Sequence, residues 1–449
     1  MDATYDLIVI GTGVAGSSVA SSAKKEGWNV AIVDEGPLGG TCPQYGCDPK
    51  KVMVEISRIY DDAKRVNGLG LNADISMNWE ELIAFKNTFT QPIPDDTEKK
   101  FEQKGVDLYK GRASFLDANT LSVDKKTLHA KHFVIATGAT PKTLPIEGSN
   151  HMVTSDQFFE LKRLPQRLLF VGGGYIAFEF AHLAARLGKE VILVHRGKHV
   201  LEAFDYEMTN KLIETSKDLG IDIHTNTEVK KITKQDNGYN IMVQKFDHEH
   251  RLHADMVIHG GGRAANIETL ALDNANVSYS DDGIDVNFNF QSTTQGHIYA
   301  AGDCASANLP ALTPVAGEEA KRLISHLLHH QEQEPLQKHV PTIVYTYPML
   351  ASVGLTQQEA KAKSIPYECD SKSIKNFFTY KQTKETTAYM KILRNPYTKE
   401  ILGAHFLSSK ADHLINLFTL AIEHRITSES LKEVLWAYPT AESDIPSFF

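Results

Sequence analysis

Gly39-Gly40-Thr41-Cys42-Pro43-Gln44-Tyr45-Gly46-Cys47-Asp48-Pro49-Lys50 is the stretch on which the reading of this chain turns. It holds two of the chain's four cysteines, five positions apart, in a glycine-flanked turn. Pro49 suits the first turn of a helix, because a proline lacks only an N–H that would be unpaired there anyway. A thiol at a helix N-terminus meets the positive end of the helix dipole, which favours the reactive thiolate. The pair therefore reads as a redox disulfide that takes electrons from a nearby carrier. Two unrelated buried thiols are the bland alternative, and a cysteine-poor chain rarely places two so close in such a turn.

The carrier is indicated just upstream. Leu7–Ile10 is a short apolar run, as expected of a strand buried on both faces. Gly11-Thr12-Gly13-Val14-Ala15-Gly16 follows, then a helix to about Glu26 and a second strand over Asn29–Val33, ending at Asp34-Glu35. This is a βαβ start with the dinucleotide fingerprint in its required context. Gly11 serves the tight turn, Gly13 the approach of backbone to a pyrophosphate, and Gly16 the packing of helix on strand. Asp34 is the acid expected on a ribose hydroxyl. Downstream the pattern recurs: strand Leu168–Val171, Gly172-Gly173-Gly174-Tyr175-Ile176-Ala177, a helix to about Leu187 and a strand over Val191–Val194. Ala177 takes the third glycine's place, a permitted variant. Two fingerprints imply two dinucleotides, with the first beside the cysteines as electron carrier.

Further strands are expected at Phe133–Ala136, before the turn Thr137–Pro141, at Met256–Gly262 leading to Arg263, and before Gly302-Asp303. A helix over about Gly317–His330 and a polar linker, Gln331–Lys338, follow. The last ~115 residues alternate as strands with hairpin turns, for instance Tyr389–Arg394 and Ile401–Leu407, before a helix over about Ala411–His424. The fold class is α/β, with two Rossmann-like dinucleotide-binding domains and a C-terminal α+β domain. The expected boundaries are 1–148 and 265–332 for the first domain, 149–264 for the second and 333–449 for the last. A length of 449 residues suits about three domains.

Bulk properties narrow the classes. A net charge of −9 argues against a general nucleic-acid partner, and no basic cluster suggests an anionic membrane surface. No apolar run approaches membrane-spanning length. Four cysteines are too few for a secreted disulfide scaffold. No leader is expected, since Tyr5–Ile10 already reads as a strand. A reducing cytoplasm is the expected location. His326, His329 and His330 share a helix end and read as an exposed polar turn, with no metal site expected. Cys304 reads as a small core residue, and Cys369 has no motif context.

From end to end, in order of motifs, the chain resembles the flavin-dependent disulfide reductases: glutathione reductase, dihydrolipoamide dehydrogenase, mercuric reductase and relatives. The resemblance is most specific at Gly39–Lys50, Ala136–Gly138 and Ala300–Asp303. It implies an FAD domain, an inserted nicotinamide domain and a C-terminal dimerisation domain, so a homodimer. It places FAD on the first fingerprint, with Asp303 on the ribityl chain. Gly40, Thr41, Ala113, Thr137, Gly138, Arg263 and Gly302 join the cofactor-binding residues, and Gly172, Gly174, Tyr175 and Ala177 join them from the second fingerprint. Lys50 is implied to pair with Glu179 beside the flavin, where a cation stabilises the reduced, anionic form. Tyr175 would gate the nicotinamide. Cys47 would be the thiolate facing the flavin, and Cys42 the thiol that attacks substrate.

Three features depart from the pattern or tune it. Asp48 follows Cys47 and should oppose its ionisation, unless it merely points to solvent. The strand Val191–Val194 ends in His195-Arg196-Gly197-Lys198 rather than in an acid. Arg196 with Lys198 suits a 2′-phosphate, so NADPH is expected over NADH, although Glu202 falls where a second arginine is common. Near the C-terminus, the family's His-Pro-Thr, with Glu five residues after the His, becomes Tyr438-Pro439-Thr440-Ala441-Glu442-Ser443. Tyr438 stands for the acid–base histidine supplied by the partner subunit, and Glu442 is one residue out of frame. A phenol donates a proton but is a poor base at neutral pH. The expected enzyme passes electrons from NADPH through FAD and Cys42–Cys47 to a small thiol-reactive acceptor. A reactive oxidant such as hypothiocyanous acid is favoured over glutathione-type disulfides or dihydrolipoamide. A redox-sensing flavoprotein with little turnover and a cysteine-independent oxidase are the rivals.

Overall fold

The computed structural model describes residues 3–72, 74–307, 309–336 and 338–449. Gln337, inside the expected linker, lies outside them. The chain forms two compact units, Met1–Lys50 with Ala84–Lys142 and Arg263–Gln337, and Lys51–Ile83 with Thr143–Gly262 and Lys338–Phe449.

The first unit is built on a seven-stranded sheet. Its parallel part runs Asp107–Lys110, Val30–Asp34, Ala3–Ile10, Lys126–Ile135, Ile298–Ala300. Thr120–Val123 and Ala113–Asp117 extend it antiparallel. The strand Ala3–Ile10 is apolar over Leu7–Ile10 because both its faces are covered there. Leu7 and Val9 join one core with Ala15 and Val19 of the helix Val14–Lys25. Ile8 and Ile10 join the other with Phe115 and Phe133. All four strand residues are almost completely buried. This double coverage is what a parallel sheet requires.

The second unit repeats the pattern at smaller scale. Ile221–His224, Glu190–Val194, Arg167–Val171 and Met256–His259 form a four-stranded parallel sheet. A three-stranded antiparallel sheet, Thr227–Gln235, Gly238–Lys245 and His248–Ala254, accompanies it. The C-terminal part is a five-stranded antiparallel sheet. The helix Ala411–Glu423 packs on its strands Met349–Gly354 and Ile401–Ser408 through Leu414, Ile415 and Phe418.

Several elements differ from the sequence expectation. The helix expected from Gly317 begins at Thr313, because Pro314 fits its first turn. The strand Met256–His259 stops short of Gly262, and Arg263–Ala265 forms a separate strand antiparallel to Ala139–Pro141. Cys42 is not in an open turn: it lies in the five-residue helix Thr41–Tyr45, between Gly40 and Gly46. Cys47 opens the nineteen-residue helix Cys47–Arg65, with Pro49 in its first turn.

Candidate active site

The first fingerprint is shaped for a diphosphate. Gly11 has φ +108°, and a Cβ there would meet the Ala136 carbonyl oxygen at 2.2 Å. Gly16 packs so tightly that a Cβ would come within 2.0 Å of the Gly11 oxygen. The helix Val14–Lys25 begins at Gly13 with no side-chain cap and no acid in its first turn. Its N-terminal amides are thus left for an anion. Gly40 crosses beside Gly13, where a Cβ would lie 2.6 Å from the Gly13 Cα. Asp34 accepts from the Thr12 amide at 2.7 Å and from its hydroxyl at 2.6 Å, which ties the strand end to the loop. These features fit the diphosphate of a dinucleotide such as FAD, which Gly11, Gly13, Gly16 and Asp34 would hold.

The cysteine pair stands at the other end of this loop. Both thiols are free in the structure. The Cys42 thiol donates to the Cys47 sulfur, and this bond is the first cause of a large difference between them. It brings the Cys47 pKa down to about 6, with help from Thr313 and from the charge of Lys50 one turn on. Burial and, least of all, the Asp48 carboxylate oppose the shift. The same bond, with burial, pushes Cys42 far up. One proton and one negative charge are therefore sorted: Cys42 keeps the proton and Cys47 carries the charge.

Thr313 Oγ1 lies 3.5 Å from the Cys47 sulfur. It is the first residue of the helix Thr313–His329, whose N-terminus has no side-chain cap. Nothing in the sequence near the cysteines points to Thr313; the only signal is a Thr-Pro pair at the start of the helix after Gly302-Asp303. A second unanticipated residue is Glu319, buried on the same helix. It accepts from the Gly302 amide. Burial, with the Asp303 carboxylate adding to it, pushes Glu319 up to about 7. Asp303 is raised by burial, against the pull of Arg263. Arg263 donates to the Ala139 carbonyl beside Thr137-Gly138. Ala113 is buried in the antiparallel edge, and Thr41 is exposed at the start of the Cys42 helix.

The second fingerprint repeats the first. A Cβ at Gly172 would meet the Gly260 oxygen at 2.0 Å. The helix Tyr175–Arg186 starts at Gly174, again with no side-chain cap and no acid in its first turn. Ala177 is accommodated because it faces Gly260, where an added Cβ would lie 2.8 Å from the Ala177 Cβ. This end fits a nicotinamide dinucleotide. Tyr175 is the helix's first residue and is 42% exposed. Arg196 and Lys198 are exposed beyond the strand Glu190–Val194. Glu179 is buried on the same helix and accepts from the Tyr345 amide at 2.7 Å. Lys50 belongs to the first unit and Glu179 to the second.

In the C-terminal part, Tyr438 is 76% exposed, with its ring 6.4 Å from that of Phe378. Glu442 begins a short 3₁₀ turn, Glu442–Ser447. Ser443 turns back on Thr440: its amide and hydroxyl bond the Thr440 hydroxyl and carbonyl. Among the described residues, no group of three or more His, Cys, Asp or Glu side chains could hold a metal ion. No helix among them is long and apolar enough to cross a membrane.

Comparison with known proteins agrees with this geometry. The mercuric reductase of Staphylococcus aureus is 32% identical over 98% of this chain and 81% of its own length. The glutathione reductase of Burkholderia cepacia is 31% identical over 97% of this chain and 96% of its own. The fold matches that of the HOCl-induced flavoprotein disulfide reductase RclA from Escherichia coli, with a TM-score of 0.87 at 23% identity over 99% of each chain. Residues 5–320 match the pyridine nucleotide-disulphide oxidoreductases, and residues 340–447 match their dimerisation domain. With two fingerprints, a thiol pair and both matched regions in order, the chain belongs to the pyridine nucleotide-disulphide oxidoreductase family of FAD-dependent enzymes.

Proposed function

We propose that this enzyme takes electrons from NADPH, through FAD, into the Cys42–Cys47 disulfide and passes them to a small thiol-reactive acceptor. Bound FAD supplies the two-electron step between nicotinamide and disulfide. The observation that carries the reading is the sorted thiol pair. Cys42, the attacking group by the family resemblance, gives up its proton as it attacks, and Cys47 is the ready thiolate that resolves the adduct. Lys50, one turn after Cys47, holds a positive charge toward it. In this reading Arg196 with Lys198 takes the 2′-phosphate of NADPH. Tyr438 serves the active site of a partner subunit in a homodimer.

Among acceptors, a reactive oxidant such as hypothiocyanous acid fits best. Cys42–SH attacks its sulfur, forming Cys42–S–SCN, and the departing oxygen leaves as water with the thiol's proton. Cys47 then attacks the Cys42 sulfur, the disulfide closes and thiocyanate leaves. Thiocyanate is a weak base and needs no proton to depart. An ordinary disulfide releases two poorer thiolate leaving groups, for which an acid matters more. The turn over 438–443 holds no histidine to supply one. The test is steady-state turnover with NADPH and NADH against hypothiocyanous acid, glutathione disulfide, cystine, coenzyme A disulfide, lipoamide and Hg(II). Turnover with none of them, or turnover that survives Cys42→Ala, overturns the proposal.

A further inference from the structure

Three helices end on one cavity of the second unit. Arg65, Arg186 and Asp218 are the last residues of the helices Cys47–Arg65, Tyr175–Arg186 and Tyr206–Asp218, and all three line it. Its volume is about 200 Å³, below the roughly 300–1,000 Å³ of sites for drug-sized ligands. Helix C-termini present unpaired carbonyls and the negative end of the dipole, so the place favours positive charge. The two arginines answer part of that field but are already engaged. Arg186 Nε is 2.6 Å from Asp61 Oδ2, and its other nitrogens reach His182 and the Tyr347 carbonyl. Arg65 Nε donates to the Thr383 carbonyl at 2.6 Å, and its guanidinium pairs with Asp62. Two carboxylates are left over. Asp218 is exposed, has no ion pair among the described residues, and sits where the helix dipole opposes it. Glu385, also lining the cavity, is only 8% exposed, and neither of its oxygens accepts a hydrogen bond. Ser409 approaches it short of bonding geometry, and Arg65 and Lys410 act on it without an ion pair. Burial raises its pKa, with Asp62 in the same direction. A carboxylate so placed is costly unless something pairs with it. Thr387 lines the cavity too. Its Oγ1 is 3.4 Å from Thr215 Oγ1, whose hydrogen has a shorter path, 2.9 Å, to the Lys211 carbonyl. The Thr387 oxygen is thus left as an acceptor.

We infer that this cavity binds a small aliphatic amine, whose ammonium groups pair with Glu385 and Asp218 where the three helix ends converge. An ammonium brings donors and no acceptor, which matches carboxylate oxygens, a hydroxyl and helix carbonyls. Its charge-assisted bonds replace, at Glu385, the water that burial removes. Two carboxylates without cations suit a diamine. A metal ion fits less well, because no group of three or more His, Cys, Asp or Glu side chains among the described residues could hold one.

Calorimetry of the flavin-loaded enzyme with 1,4-diaminobutane, at fixed pH and ionic strength, tests this. The native protein should bind the diamine saturably and melt at a higher temperature in its presence. Glu385→Gln keeps the shape and removes the charge. It should weaken binding by about tenfold or more, the effect of removing one partner of a buried charge pair. Without diamine, Glu385→Gln should melt no lower than the native protein, because no internal partner is lost. A lower melting temperature would mean that Glu385 is already paired within the protein, and would overturn the inference. If Glu385→Gln fails to fold, judged by flavin content and circular dichroism, Asp218→Asn at the exposed helix end decides. It should weaken binding about two- to fivefold, the worth of an exposed ion pair. No saturable binding by the native protein overturns the inference, as does an unchanged dissociation constant in the variant that decides. Displacement of the diamine by potassium at equal ionic strength would assign the cavity to a metal ion and overturn it as well.

Discussion

Thr313 Oγ1 lies 3.5 Å from the Cys47 sulfur, although 266 positions of chain separate the two residues. The contact is made by the first residue of a seventeen-residue helix, so the hydroxyl and the helix N-terminus favour the same negative charge. Thr313→Val keeps the shape and removes the donor. The Cys47 pKa should then rise by up to about one unit, the worth of a modest hydrogen bond to a charged group. Titration of the ultraviolet thiolate absorbance in the reduced enzyme measures this; an unmoved titration would mean that Thr313 only packs there.

The thiol asymmetry also fixes a pH window. Cys47 has a folded-state pKa of about 6, below the value near ~8.5 of a thiol in an unfolded chain. Its contribution to stability is complete above the unfolded value and is lost as the pH falls through about 6. The thiolate, and any long-wavelength thiolate-to-flavin band, should fade over that same lower range. Cys42→Ala removes the first cause of the shift, so the fading should move to higher pH. Cys47→Ser should abolish the band while flavin stays bound. A band that survives Cys47→Ser would assign the charge to the other sulfur.

The parts of this protein that were legible in its sequence are those where backbone geometry leaves little choice. Gly11 and Gly172 each stand against a carbonyl oxygen that no Cβ could clear. Such positions write themselves into the sequence as glycine, and the flanking apolar runs declare buried strands. What escaped was set by distant contacts. Thr313 and Glu319 act through space on Cys47 and Gly302, and neither carries a local motif. Nothing in the composition of Lys51–Ile83 assigns it to the second unit. Thr313 to Ala316 lack polar periodicity, so only Pro314 marks the first turn of the helix Thr313–His329.

The second unit contains a buried ion pair whose loss should be costly. Lys391 Nζ is 3.0 Å from Asp205 Oδ1 and 2.9 Å from Gln357 Oε1, and both charged side chains are 1% exposed. Asp205 also caps the helix Tyr206–Asp218. Lys391→Met leaves that carboxylate buried without its cation. A destabilisation of about 3–5 kcal/mol is expected, the range for breaking one partner of a buried pair. Urea unfolding of the variant, compared at constant m-value, measures it. A loss below about 1 kcal/mol would mean that water or a neighbouring group replaces the ammonium.

Leu435 is 99% exposed, and Val434, Leu420 and Tyr438 expose apolar surface on the same C-terminal part. Exposed apolar side chains suit an interaction face, and this part matches the family's dimerisation domain. Leu435→Glu should weaken the proposed homodimer and lower the scattering mass toward that of one 49.9 kDa chain. Native protein that already scatters as a monomer would remove the basis for placing Tyr438 in a partner's site.

The last prediction concerns Tyr438 and the choice of acceptor. In disulfide reduction the leaving thiolate must be protonated, and a positioned acid–base group contributes about 10²–10⁴-fold in such transfers. Tyr438 can donate a proton but is a poor base for restoring the cycle at neutral pH. Ser443, at the position where a glutamate would orient a histidine, is instead bonded to Thr440. Glutathione disulfide should therefore turn over slowly. Hypothiocyanous acid leaves as water and thiocyanate, so its turnover should exceed that of glutathione disulfide by about the same factor. Tyr438→Phe should slow the disulfide reaction and leave the oxidant reaction nearly unchanged. Tyr438→His should improve disulfide turnover only modestly, because nothing at 443 can orient the ring. Rapid glutathione disulfide reduction by the native enzyme, at the roughly 10–10³ s⁻¹ common among enzymes, would refute this ordering. It would mean that Tyr438, Glu442 or another group performs the histidine's work.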